Sequence, residues 1–261
     1  MADNQKTKPT ASKIIVNADD FGLNERNSKA IAEAFDKGLI TDTTVLANGE
    51  YLDEALTLAR EKGFFNKLGV HLNLTEGEPL TEDIKGCPRF VTDGRFNKVY
   101  NHSRTSHLKK AEKAAIEKEL DAQISRLEAA GVKLTHADSH HHIHTAVFVA
   151  PIAERVCKAH GINKMRLHRN LGNINAVKRF VKKKHNRRLR KQGFITTDYF
   201  AYVMDIRDSE IPDNTEIMVH PDFDKDGVLI DRRGMENGFP IGYPLPDFRK
   251  DDAKLKGYAE L

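Results

Sequence analysis

The chain has 261 residues, enough to bury a substantial core and the size of one α/β barrel or of two small domains. Hydrophobic residues make up 39% and charged residues 31%, and no apolar run approaches the ~18 residues of a membrane span. The net charge of +4 is uneven: nine Lys or Arg and no acid lie between Lys178 and Lys191, and without them the remainder carries −5.

Met1 to Ser12 is polar, lacks the apolar core of a signal peptide, and reads as a disordered leader ahead of one folded unit over 13–261. Lys13 to Asn17, around Ile14-Ile15-Val16, reads as a strand. Asn24 then caps a helix to Lys37, with Ala30, Ile31, Ala34 and Phe35 at helical spacing and Gly38 as its stop. Thr43 to Ala47 predicts a second strand, about Leu52 to Lys62 a helix, and Lys67 to Leu74 a third strand. Residues 76–103 hold Gly, Pro and scattered aromatics without period and read as a long excursion.

A long amphipathic helix is predicted from about Ser106 to Ala130, with Ile116, Leu120, Ile124 and Leu127 on one face. Lys133 to Ala137 reads as a fourth strand, about Ala146 to Ala159 as a helix, and Met165 to Leu167 as a short strand. The basic helix follows, then the runs Phe194 to Phe200 and Glu216 to Val219. This alternation predicts an α/β fold, mostly parallel strands covered by helices. An open doubly wound sheet competes with a barrel. Polar motifs at four or more strand ends favour the barrel, which brings them to one mouth.

Those motifs carry the chemistry. Asn17-Ala18-Asp19-Asp20-Phe21-Gly22 sets two carboxylates side by side after a buried run, a costly placement unless something positive accompanies them. Alone, Asp19-Asp20 reads equally well as an acid pair at a helix entry, and His71 in Gly69-Val70-His71-Leu72 as a core histidine. Together they suggest donors converging on an ion. His136 to His144 holds five histidines in nine residues, with Asp138 among them; in extended chain His140, His142 and His144 would share one side. Pro221 forces the chain out of a sheet and exposes His220 at the rim. Arg166 fits either a surface salt bridge or a partner that orients a catalytic carboxylate.

Cys87 and Cys157 are too few and too isolated for a disulfide framework or a thiolate site, and read as two free thiols of a reducing cytoplasm. The basic block reads first as a solvated helix, then as a homodimer contact or an anion site. Phe180 and Val181 are too thin a stripe for a membrane-binding helix, and the interleaved aromatics of a nucleic-acid surface are missing.

Over residues 13 to 250 the motifs, in order, resemble the YdjC-like carbohydrate deacetylases, which include chitooligosaccharide deacetylases. The resemblance implies an irregular (β/α) barrel of the polysaccharide-deacetylase type, a single catalytic domain over 13–261. It implies one divalent ion, Mg2+ or Zn2+ with Mn2+ or Co2+ as alternatives, on Asp20, His71 and His140. It implies Asp19 as general base, His220 as general acid, Arg166 as the partner of a catalytic carboxylate, and a small carbohydrate as substrate. Two features depart from the family pattern on the substrate side: the charge of 178–191, and His168-Arg169 in place of a proline-containing continuation after Arg166. A metal phosphoesterase and a non-catalytic sugar- or nucleic-acid-binding module are the competing readings.

Overall fold

The structure, a computed structural model, describes residues 12–97, 107–206, 210–233, 244–251 and 253–261. Its elements in chain order are β1 (Lys13–Phe21), α1 (Glu25–Asp36), β2 (Asp42–Val45), α2 (Leu52–Glu61), β3 (Leu68–Leu72), α3 (Glu82–Lys85), β4 (Val91–Thr92), β5 (Arg95–Phe96), α4 (Lys110–Ala129), β6 (Ala137–Ser139) and α5 (Ala150–Ala159). There follow α6 (Ala176–Lys191), β7 (Tyr199–Tyr202), α7 (Val203–Ile206), β8 (Thr215–Val219), β9 (Pro221–Phe223), β10 (Leu229–Asp231) and β11 (Lys254–Leu255). The leader expected over Met1 to Ser12 lies outside the described residues apart from Ser12, as do the end of the 76–103 excursion and Ser106.

The main sheet runs β6-β3-β2-β1-β8-β7, every pair parallel, with β11 beside the start of β1. Its central strand β1 is buried on both faces, which explains the unbroken apolar run at its start. Between β6 and β7 the circuit is carried by single contacts: Ala137 bridges Met165, Lys164 bridges Ile195, and the Asn170 amide donates to the Phe200 carbonyl. The sheet is thus a curled, barrel-like wall covered by helices, as expected. The strand expected over Met165 to Leu167 shrinks to those bridges.

Other boundaries move for local reasons. Strand β6 starts at Ala137 rather than Lys133, because its ladder with β3 runs only from Val70 opposite Ala137 to Leu72 opposite Ser139. Helix α5 starts at Ala150 rather than Ala146, set by Pro151 in its first turn, where a missing amide costs nothing. Strand β7 begins at Tyr199, later than the apolar run at Phe194 implied. The short β11 and the hairpin β9–β10 gave no periodic signal.

Helix α4 positions the site indirectly. Its inward face carries Glu119 and Gln123 among Ile116, Leu120, Ile124 and Leu127. The Glu119 carboxylate accepts from the amides of Leu80 and Thr81, and Gln123 bonds both backbone groups of Asn73. These bonds satisfy buried polar groups on both partners and pin the loop after β3 against the barrel.

Candidate active site

Adjacent residues of a regular strand point to opposite faces. Strand β1 breaks that rule at its end. Its register with β2 shifts between Ala18 and Phe21, and Asp20 adopts a left-handed conformation at φ 72°. Such an irregularity re-aims side chains, and Asp tolerates it better than most residues. Both carboxylates remain buried, each with its own partners.

Asp20 faces two imidazoles. Its Oδ1 lies 3.1 Å from His71 Nε2 and 2.7 Å from His140 Nδ1, and its Oδ2 accepts from Arg232 Nη2 at 3.0 Å. His71 Nδ1 is held 2.6 Å from Asp138 Oδ1 because His71 and Asp138 stand opposite each other on β3 and β6. His140 Nε2 meets Glu76 of the pinned loop at 3.0 Å. Two imidazoles therefore sit among three carboxylates.

With Nδ1 of His71 donating to Asp138, the Nε2 lone pair and an Asp20 oxygen face each other, an arrangement that requires a cation between them. A proton can serve: burial opposes a charged His71, but Asp138 and Asp20 overcome it and raise its pKa to about 10. A divalent ion suits the same space, with donors of the right chemistry and a carboxylate behind the histidine to fix its tautomer. Donor atoms of Asp20, His71 and His140 all lie within 4.8 Å of one another. The buried His/Asp cluster fits a divalent metal.

Asp19 turns to Arg166, which is buried rather than on the surface. Both its oxygens accept from the guanidinium at 2.7 Å, and Asn17 Nδ2 donates to Oδ1 at 3.0 Å. The same guanidinium reaches Asp138 Oδ2 and Glu216 Oε1, each at 2.7 Å. Glu216 accepts in turn from the Tyr258 hydroxyl at 2.6 Å, and burial raises its pKa to about 7 against the pull of Arg166.

The histidine run does not follow the extended geometry expected. From His140 to Thr145 the chain makes a 3-10 turn with His141 and His142 both left-handed, at φ 49° and 55°. The rings consequently diverge. His136 stacks on Tyr258 with centroids 3.6 Å apart and bonds Asn17, and burial lowers its pKa to about 3. His141 meets the Thr75 hydroxyl, His142 the Tyr202 hydroxyl, and His144 both Ser139 and the Arg166 carbonyl. Of the five in the run, His140 alone contacts Asp20. His220, after β8, has Nε2 3.9 Å from Asp20 Oδ2, and burial holds its pKa well below the usual imidazole value.

A family model described as YdjC-like protein matches residues 13–250. The chain belongs to the YdjC-like family. A carbohydrate deacetylase of Brevibacillus brevis is 39% identical over 152 residues, 58% of this YdjC-like chain and 57% of that protein. A carbohydrate deacetylase of Listeria welshimeri is 34% identical over 166 residues, 64% of this chain and 65% of that one. Each alignment thus spans less than two thirds of the relative. A crystal structure from Enterococcus faecalis V583, provisionally named a cellobiose-phosphate cleavage protein, matches with a TM-score of 0.69 at 23% identity, over 96% of this chain and 98% of that one. That likeness shows a shared fold.

Several residues of this YdjC-like site were not assigned a role from sequence. Asp138 was visible inside the histidine motif, and its place opposite His71 would have followed from pairing the two strands. Glu216 opened a predicted strand run. Glu76 lies in an aperiodic loop, Arg232 directly after a two-strand hairpin and Tyr258 three residues from the end; none offers a local signal.

Proposed function

We propose that this protein is a metal-dependent hydrolase that removes acetyl groups from N-acetylated sugars. The observation that carries the reading is the division of labour at the end of β1. Asp20 faces two imidazoles, while Asp19, its neighbour in the chain, is clamped by a buried arginine. The relatives named carbohydrate deacetylase support the substrate class.

A divalent ion on Asp20, His71 and His140 would polarise the acetyl carbonyl and lower the pKa of a nearby water. Two imidazoles with one carboxylate favour a zinc-like ion over magnesium, which prefers oxygen donors. Asp19 takes the proton from the attacking water. Arg166 fixes its orientation, and Oδ2, which among the described residues accepts only from Arg166, keeps a further lone pair for that proton. His220 delivers a proton to the departing sugar amine, since an amine anion is a very poor leaving group. Burial disfavours a charged imidazole here and the neighbouring Asp20 carboxylate favours one, so His220 takes up a proton before the amine departs, which balances the proton that Asp19 gains from the water.

One observation favours phosphorylated sugars. A cleft of about 680 Å³ is lined by Arg169, Tyr202 and Arg233 together with Asp205 and Glu210. The two guanidinium carbons lie 4.8 and 5.6 Å from the Tyr202 ring centre. Arg169 pairs with Asp205 at 3.5 Å, so a phosphate would compete with that carboxylate. Two cations about one aromatic ring suit an anionic substituent on a sugar.

The test is acetate release from N-acetylglucosamine, chitobiose and their phosphates, with metal-stripped and metal-reloaded protein. Release that returns with the metal and is lost in Asp19→Asn is the expected result. Phosphate release without acetate would assign a phosphoesterase instead.

A further inference from the structure

The charge of α6 has no part in the proposed chemistry. The helix is firmly built: Asn175 caps it by accepting from the Lys178 amide, and the buried Asn186 side chain bonds both backbone groups of His168. Yet only Asn186 and Leu189 of its sixteen residues are buried. Phe180, Lys183, Lys184, Arg187 and Lys191 follow at helical spacing and form one outward stripe. Val177 and Val181 flank its aromatic end, so that Val177 is 75%, Phe180 71% and Val181 46% exposed.

The cations of this face are not spent on the protein. Arg188 pairs with Glu154 and Arg190 with Asp198. Among the described residues no carboxylate pairs with Lys178, Arg179, Lys183, Lys184, Arg187 or Lys191. Exposed apolar side chains scattered singly are ordinary, but three adjoining ones amid unpaired cations mark a contact surface.

Charge complementarity narrows the occupant. A second α6 would bring like charges together. A nucleic acid would satisfy the cations but gain nothing from two valines. An anionic bilayer rewards both features, because lysines and arginines are drawn to the headgroups and short apolar side chains enter the boundary beneath them.

We infer that α6 docks this protein on anionic bilayer surfaces, with Phe180, Val177 and Val181 at the headgroup boundary. In the sequence, Phe180 and Val181 alone made too thin a stripe. The folded helix adds Val177 and shows that the core uses none of the three. Docking of this kind requires no spanning segment, and no described helix is long and apolar enough to cross a membrane.

The experiment is co-sedimentation of the full chain with vesicles of phosphatidylcholine alone or mixed with phosphatidylglycerol, over a salt series. Binding should require the anionic lipid and weaken as salt screens it. Val177→Ser, Phe180→Ser and Val181→Ser combined should weaken it about tenfold or more. Lys183→Glu, Lys184→Glu and Arg187→Glu combined should abolish it, with far-UV circular dichroism and thermal midpoint retained in both. The chain has no tryptophan, so Phe180→Trp adds a single reporter whose emission should shift to the blue on anionic vesicles only. Failure of the wild type to bind anionic vesicles overturns the inference. So does an unshifted emission from the Phe180→Trp variant on those vesicles, or tighter binding to short duplex DNA or RNA that ignores the apolar substitutions.

Discussion

Arg166 holds Asp19 through both terminal nitrogens at 2.7 Å, and the same side chain also neutralises Asp138 and Glu216. One buried cation thus serves three carboxylates, which joins the proposed base to the residue behind His71. Such a cluster tolerates loss of its centre poorly, because each acid left behind is a buried, uncompensated charge.

Arg166→Met should therefore lose about 3–5 kcal/mol in urea unfolding. Arg166→Lys keeps the charge but cannot form the two-pronged contact. It should lose less stability while kcat falls about a hundredfold through misplacement of Asp19. Equal activity of Arg166→Lys and wild type would remove the orienting role.

Glu216 makes stability pH-dependent in a predictable direction. Its folded pKa of about 7 lies above 4.5, its ordinary value. Between those values the folded state keeps a proton that the unfolded chain has lost. The contribution of this group to stability is complete below about pH 4.5 and falls as pH rises to about 7. Asp42, raised to about 6 by burial, acts in the same direction but is present in both proteins of the comparison. The unfolding free energy of wild type minus that of Glu216→Gln should decline through this window and flatten above it. A flat difference across pH 4 to 9 would contradict the assigned shift.

Much of this arrangement was legible in the sequence. Alternating apolar runs and helical periods indicated the parallel wall, and the motifs at Asp20, His71 and His140 fall at strand ends that the sheet order gathers together. Those residues lie at the ends of strands β1, β3 and β6, so a local signal and a topological rule were enough. The histidine run was less legible, because two consecutive left-handed residues, His141 and His142, send its rings in different directions and no spacing argument foresees them. Glu76 reaches His140 from a loop that Glu119 holds in place, and Arg232 reaches Asp20 from the residues directly after β10. Tyr258 arrives from a short C-terminal turn. Such contacts depend on tertiary packing alone.

Gly69 illustrates a constraint of that tertiary kind. A Cβ built there would lie 2.5 Å from the His136 ring, and the ring cannot retreat because Tyr258 stacks on it at 3.6 Å. Gly69→Ala should thus cost about 1–3 kcal/mol in chemical unfolding, as overpacked cores do. Gly94→Ala, where nothing lies within 4 Å but φ is +76°, serves as a control for backbone strain alone. If Gly69→Ala is no less stable than wild type, the histidine–tyrosine stack is not the rigid layer described.

Asp138 offers a test of the ion site that does not depend on turnover. Its Oδ1 fixes the Nδ1 proton of His71, while Oδ2 pairs with Arg166 and accepts from Thr44 Oγ1. In Asp138→Asn an amide donor can face Nδ1, which moves the imidazole proton to Nε2 and removes the lone pair directed toward Asp20. Zinc affinity in calorimetric titration should fall about 10–100-fold, the usual cost of losing a carboxylate behind a ligating histidine. His140→Ala removes a donor outright and should lose more. Thr44→Val deletes one hydroxyl but leaves the carboxylate, and should stay within a few fold of wild type. Metal stripping should lower the thermal midpoint of wild type, and re-addition of zinc should restore it, because an ion that binds only the folded chain stabilises it by mass action. Asp138→Asn should show that recovery only at higher zinc. Wild-type zinc affinity in Asp138→Asn would mean that His71 donates to the ion without help from its strand neighbour.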